Sequence, residues 1–572
     1  MVADTRPGQP WLYGPIPDLL FGCGALFAVF SLIFGFAGGP VFQSIPAAIP
    51  ALLVAFVSAP HYGATLLRVY DRRNDRRAYF VFSVVATAAI VALFGLSLFH
   101  RWTGSVLATI YLTWTGWHYT GQNFGIAMMF ARRRSIALDP SLRRWSHASF
   151  VLSFLLVFLV MHGQADPVAD PALEIRLIPL AIPPRLDALA VAIVGAAYVV
   201  TTAVALFLLA RRSSRIADGI PIVAIIATQA LWWSIPYAAR HFDVFRGVVP
   251  LGGELRSAFF VWIAVAHAAQ YLWITSYFAR SDRGWNGFRG YYGRVLLAGS
   301  AVWMLPALVF APATDQFDWN FALLLAAAVN LHHFVLDGAI WKLRQTRIAR
   351  VLVEDRAEVD VDERAGGWIR RGVWAASALA LLLSIASLVD RFHVLPSALE
   401  AGRLAAAARS LDRQAWFGTM DSVTRFRLGR RFEAAGDLES ASVQYEISAR
   451  NVPRIEPYRR LLAIYDRAGR QAEFGRVCDA LFALEGARAA VSSGASSGAS
   501  SGASTAVSSD VSSDVSSDVS SDAGPGARGA DDRRAQCGRI AQAVRRPALA
   551  QRRSAAAKVG PAATGNTLAG YR

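Results

Sequence analysis

"FALLLAAAVNLHHFVLDGAIWKLR", residues 321–344, is the stretch on which the fold turns. It reads as a membrane-crossing helix, an apolar run of about 20 residues closed by basic side chains. Yet Asn330, His332, His333 and Asp337 lie inside it. Polar and titratable groups are costly in hydrocarbon and face a bundle interior when they occur there, so each marks a candidate site.

The same apolar pattern recurs through the first 390 positions of the 572-residue chain. The chain is 54% hydrophobic and 17% charged, with a mean hydropathy of +0.35. Eleven candidate spans follow: 18–38, 46–67, 78–99, 103–130, 146–163, 186–210, 219–239, 257–279, 293–312, 319–341 and 371–389. The first apolar run is followed by further spans, so it reads as a span and not as a cleaved signal peptide. The net charge of +17 does not indicate nucleic acid, because the arginines gather in short loops such as "RVYDRRNDRR" (68–77) and "RRRSIALDPSLRR" (132–144). Alternate loops, such as "GGPVFQSIP" (38–46) and "PATDQFDW" (312–319), are neutral or acidic. By the positive-inside bias the N-terminus is cytoplasmic and the region after the last span is extracytoplasmic. For a bacterial chain this means a multi-pass protein of the inner membrane with a periplasmic C-terminal domain. Cys23, Cys478 and Cys537 lie far apart and form no metal or disulfide pattern.

Ten histidines occur. His100, His147, His162, His241 and His393 fall at span ends or loops and read as interfacial or solvated. The other five lie inside spans: His61, His118, His267, His332 and His333. Counted from the basic residue closing each span, they sit roughly 10 to 21 Å below the inner surface, in one slab of the membrane. Each span presents polar companions at helical spacing: Gln122 at i+4 from His118, Gln270 and Tyr271 at i+3 and i+4 from His267, and Asp337 and Asn330 about His333. Residues so spaced share a helix face. An imidazole that binds a metal usually donates its other N–H to a carboxylate or carbonyl, a role that suits Asp337. The five histidines are thus candidate metal ligands, with Asp337, Gln122, Gln270, Asn330 and Tyr271 as their supports. Imidazole ligands favour a transition metal, iron first, with copper, zinc or haem as alternatives. Adjacent residues differ by about 100° around a helix, so one of His332 and His333 is expected to face away. Trp114, Trp117, Tyr119, Tyr62 and Tyr271 flank the site, chiefly as packing and interfacial anchors.

In ligand type and depth the arrangement resembles the multi-histidine iron sites of membrane carotenoid-cleaving dioxygenases and the histidine-rich core of haem–copper oxidases. That likeness assigns no residues. A site at this depth is reached most directly by a lipophilic molecule, and a metal-dependent membrane oxidoreductase or oxygenase is the function expected. A transporter or proton pathway, and a non-enzymatic assembly protein, are the alternatives. A lipid-linked glycosyltransferase fits poorly, because "GFAGGPVFQSIP" (35–46) contains no acidic residue.

After the last span, "LGRRFEAAGDLESASVQYEISARNVP" (428–453) carries Leu428, Gly429, Phe432, Gly436, Ala441, Tyr445 and Pro453 at the positions of a tetratricopeptide repeat, which it resembles. A second copy, 33 residues on, keeps Ala463, Tyr465 and Gly469 but has Phe474 and Cys478 where the pattern departs. The resemblance implies stacked helix pairs with a protein-docking face. The fold expected is all-α: a polytopic membrane helix bundle with a TPR-like solenoid fragment and a disordered tail. The expected divisions are a cytoplasmic N-terminus (1–17), the membrane domain (18–390), a helical domain (391–485), a Ser/Gly/Asp linker (486–526) and a basic tail (527–572). Membrane lipid, a lipophilic small molecule and a protein partner are the expected contacts, and nucleic acid is not.

Overall fold

The computed structural model describes residues 9–30, 45–46, 48–70, 79–163, 175, 177–234, 253–281, 285–310, 319–341, 351–353, 367–419, 421–451, 454–496 and 532–544. All regular secondary structure among these residues is helical. The chain divides into two compact units, the first of residues 1–165, 174–401 and 412–419, the second of 166–173, 402–411 and 420–572.

The first unit contains α1 (Ala48–Tyr70), α2 (Val81–Phe99), α3 (Arg101–Arg133), α4 (Pro140–His162), α5 (Pro184–Arg212), α6 (Ile216–Trp233), α7 (Gly253–Arg280), α8 (Gly287–Phe310), α9 (Trp319–Ile340) and α10 (Arg370–Glu400). Eight helices among the described residues are long and apolar enough to cross a bilayer. Of the expected spans, 18–38 is described only as far as residue 30. The spans expected at 103–130 and 257–279 fall on the long helices α3 and α7. Helix α3 is the more polar of the two, since it carries His118, Gln122 and Asn123.

Local chemistry sets where these helices begin and bend. The His100 side chain accepts the Thr103 N–H at the start of α3, and Asp139 accepts the Leu142 N–H ahead of Pro140 at the start of α4. In α1, Pro60 has no N–H to give to the carbonyl one turn back, at Phe56, and Tyr292 donates its hydroxyl there instead. The turn before it is wound as π-helix over Val54–Ser58. One turn on, α1 meets α8 backbone to backbone. A Cβ on Gly63 would collide with the Val295 carbonyl, and one on Gly299 with the Ala59 carbonyl. At the N-terminal end, Asp18 accepts the Leu12 N–H (2.6 Å), the Tyr13 N–H (3.1 Å) and the Trp273 Nε1–H (2.9 Å). Buried Arg133 donates to the carbonyls of Gln9, Trp11 and Leu352. The N-terminal segment is thereby fastened to α3 and α7.

The second unit contains α11 (Ser422–Ala434), α12 (Leu438–Asn451), α13 (Ile455–Arg467) and α14 (Gln471–Ser496). Gly436 and Gly469 adopt positive φ (87° and 68°) at the turns that join each pair. Gly429 lets the Tyr445 ring lie on the α11 backbone, and Tyr445 donates to Glu433 across 2.7 Å. Three expectations change here. Helix α14 runs to Ser496, past the boundary expected at 485. Residues 532–544, inside the stretch expected to lack order, form a helix, α15. Cys478 and Cys537 form a disulfide between α14 and α15, although 59 positions separate them in sequence.

Candidate metal centre

Four helices deliver one imidazole each to a single point. His61 (α1), His118 (α3), His267 (α7) and His333 (α9) make ring contacts with centroid separations of 4.7 Å (His61–His333), 5.0 Å (His118–His267), 5.1 Å (His118–His333), 5.5 Å (His61–His267) and 6.0 Å (His267–His333). His61, His267 and His333 are 3%, 1% and 1% exposed.

Hydrogen bonds decide which ring nitrogens are free. His61 Nδ1 meets the Ser58 carbonyl, which can only accept, so Nδ1 carries the proton and Nε2 the lone pair. His333 Nδ1 lies 2.8 Å from Thr65 Oγ1, and Thr65 donates to Asp337 Oδ1 at 3.2 Å. Thr65 Oγ1 also lies 2.7 Å from the Tyr271 hydroxyl, and with Nδ1 of His333 engaged by Thr65, it is Nε2 that is left without a partner. Tyr271 donates to the same Asp337 oxygen at 2.6 Å and accepts from Trp341 Nε1 at 3.0 Å. The other oxygen, Oδ2, lies 3.4 Å from His333 Nε2 and 3.8 Å from His118 Nε2.

His118 Nε2, His333 Nε2 and both nitrogens of His267 are buried without a hydrogen-bond partner in the protein. Unsatisfied polar atoms cost several kcal/mol in a lipid environment, and a cluster of them calls for a ligand. Two overlapping groups place one ligand atom per residue within 4.8 Å of one another: His61, His267 and His333, and His118, His333 and Asp337. They share His333. Either group could hold an ion, and the shared His333 makes them neighbouring parts of one buried cluster.

Ring orientation is held by packing. Tyr119 stacks on His267 (4.0 Å), Phe334 on His118 (4.3 Å), and Tyr62 lies against His61 (3.8 Å). Helix positions are held by an amide chain. Gln122 donates to Gln270 (3.1 Å) and Gln270 to Asn123 (3.1 Å). Asn123 donates to Gln229 (2.9 Å), and Gln229 to Thr120 (2.9 Å) and Ser153 (3.4 Å). The chain ties α3 to α4, α6 and α7.

Of the expected ligands, four converge and His332 does not. Its Nε2 is 3.2 Å from the Tyr70 hydroxyl, which donates to the Ser83 carbonyl, and its ring stacks on Tyr70 away from the centre. Gln122 and Gln270 join helices and leave the imidazole nitrogens untouched. Asn330 accepts the Tyr62 hydroxyl at 2.8 Å, so it supports His61 through that ring. Asp337, expected as a support, lies within ligand range of His118 and His333 itself. Thr65 and Phe334 were not expected. Thr65, at i+4 from His61, carried a readable signal in its spacing, whereas Phe334 offered none. His162 accepts or donates at Thr113 (2.9 Å), His100 caps α3, and His241 lies outside the described residues.

A cleft of about 350 Å³ runs between α3, α7 and α9, with His118 and Asp337 in its wall and Trp114, Trp117, Phe334 and Trp341 among its apolar lining. Neutral imidazoles beside one carboxylate suit iron, copper or zinc better than magnesium or calcium. No protein-family model, curated protein or solved structure matches this chain.

Proposed function

We propose that this protein is a metal-dependent oxidoreductase of the membrane that acts on a lipophilic substrate. His61, His118, His267 and His333 hold the ion, with Asp337 as the accompanying carboxylate. The observation that carries the reading is the convergence of partnerless imidazole nitrogens from three helices, with His61 Nε2 from a fourth, beside an apolar cleft. A redox-active ion bound there supplies one-electron chemistry in a water-poor setting. The protein fixes the ring tautomers through Ser58 and Thr65, shields the centre with Tyr62 and Tyr119, and leaves the His118 side open to substrate. Iron is the ion proposed. A haem fits less well, because the four rings touch one another and leave no porphyrin-wide gap.

Metal analysis of the purified protein tests the reading, with a His118→Ala/His267→Ala double variant beside it. Near-stoichiometric transition metal in the native protein, lost in the variant, is expected. A native protein free of transition metal sinks the proposal.

The helix pairs α11–α12 and α13–α14 are proposed as a docking module of tetratricopeptide type, on the strength of the motif residues and the glycine turns between paired helices. The membrane is proposed to be the bacterial inner one, with the N-terminus cytoplasmic and this unit periplasmic. The alternation of basic loops supports that orientation, and so does the Cys478–Cys537 disulfide, since such bonds persist in oxidising compartments.

A further inference from the structure

We infer that the cleft between α3, α7 and α9 is the route by which the hydrocarbon chain of a membrane lipid reaches the histidine centre, and that Gly121, Gly125 and Gly338 hold it open. The inference rests on the functional reading for the chemistry at the inner end, while the route itself stands on geometry.

All three glycines line the cleft, Gly121 and Gly125 on α3 and Gly338 facing them from α9. Glycine is unfavourable inside a helix, so each one needs a reason. None has the positive φ that would demand glycine. None is needed for packing, because a Cβ at any of them would meet nothing within 4 Å. Gly63 and Gly299 differ in this respect, since a Cβ there would strike backbone. What the three lining glycines do is leave space, and the space is continuous.

The chemistry of that space selects its occupant. Most of its lining is aromatic or aliphatic, including Trp114, Trp117, Ile126 and Trp341, with the polar groups His118, Gln122, Tyr271 and Asp337 among them, a lining suited to a long apolar chain. The rim is exposed at Trp117 and Gly121, and α3 reaches Arg132 only 14 residues beyond His118. The rim therefore lies at hydrocarbon depth, where lipid chains are the abundant apolar molecules. His118 and Asp337 both line the cleft, and His118 Nε2 is buried there without a hydrogen-bond partner, 3.8 Å from Asp337 Oδ2.

A second copy of the chain is the rival occupant, because Gly121 and Gly125 have the spacing of a helix-association motif. The cleft is concave, however, with glycine on both walls and depth down to His118. A docked helix would cover the rim and leave the inner space empty.

Photolabelling of the protein in lipid nanodiscs tests the inference, with one probe a phosphatidylcholine bearing a diazirine in its acyl chain and the other a diazirine-bearing prenyl alcohol. Labels are expected within 114–129 and 334–341 of the wild type. Gly121→Leu and Gly338→Leu are each expected to reduce labelling roughly tenfold or more, while Gly338→Ala retains most of it and metal content is unchanged throughout. The probe that labels distinguishes an acyl from a prenyl chain. Equal labelling in wild type and both leucine variants overturns the route. So does a wild-type dimer that cross-links through a Gly121→Cys site and takes no label. Metal-free wild type that labels and is blocked by leucine removes the metal reading and keeps the route. Metal-loaded wild type that never labels does the reverse.

Discussion

His333 and Asp337 lie one helical turn apart on α9, with Nε2 of the histidine 3.4 Å from Oδ2 of the aspartate. The other carboxylate oxygen is occupied by Tyr271 and Thr65, so the pair is aimed and not merely adjacent. Asp337→Asn keeps an oxygen for Tyr271 and removes the charge beside the proposed ion. Metal affinity is expected to fall by at least the roughly 10–100-fold that follows loss of a carboxylate which only supports a ligand. Competition with a chromophoric chelator measures it, and an unaltered affinity would take Asp337 out of the centre.

The neighbouring histidines separate by role. His333→Ala removes a donor shared by both ligand groups, and bound metal is expected to disappear. His332→Ala takes away only the contact with Tyr70, worth about 0.5–1.5 kcal/mol as a single hydrogen bond. That variant is expected to keep its metal. Elemental analysis of the two proteins side by side decides the matter; metal loss in both would mean that α9 is rotated from the orientation described.

Glycine to alanine has opposite signs at two places. At Gly63 the added methyl meets the Val295 carbonyl, which cannot step aside, and overpacking of this kind costs about 1–3 kcal/mol or more. At Gly121 the methyl enters empty space, and the helix gains up to about 1 kcal/mol from the better helix former. Thermal unfolding in detergent should therefore show Gly63→Ala below the native protein and Gly121→Ala level with it or above it. A shared direction would contradict the packing.

Cys478→Ser opens the covalent loop that holds α15 to α14. Chain-entropy reasoning for a loop of this length gives about 4 kcal/mol of lost stability. Limited proteolysis is expected to release the segment after α14 in the variant while the native protein resists. In intact cells of a Cys23→Ala variant, Cys478 and Cys537 should take up no alkylating reagent until reductant is added. Free thiols without reductant would place the second unit in a reducing compartment.

Much of this arrangement was legible from residue order. Apolar runs closed by arginine gave the helices, and the depth of His61, His118, His267 and His333 below their basic residues put them in one layer. What spacing left open was rotation. His332 and His333 are equally deep, and only the packing of α9 against α1 and α3 turns His333 inward and His332 toward Tyr70. The glutamines show a similar limit: their i+3 and i+4 positions mark the correct face, yet the groups that face meets belong to other helices. The disulfide was invisible because its two cysteines are 59 positions apart, and sequence distance says nothing of spatial distance once a chain folds back.

Sequence by itself determined the helical character of the chain, the apolar length of its helices and the position of each imidazole along its helix, because hydrophobicity and helical rise act along one segment at a time. Tertiary structure alone decided which rings meet, which nitrogens are left without partners and where a cleft opens. Those properties arise between segments, from backbone contacts such as Gly63 against Val295 and from hydrogen bonds such as Thr65 to His333, whose partners lie 268 positions apart.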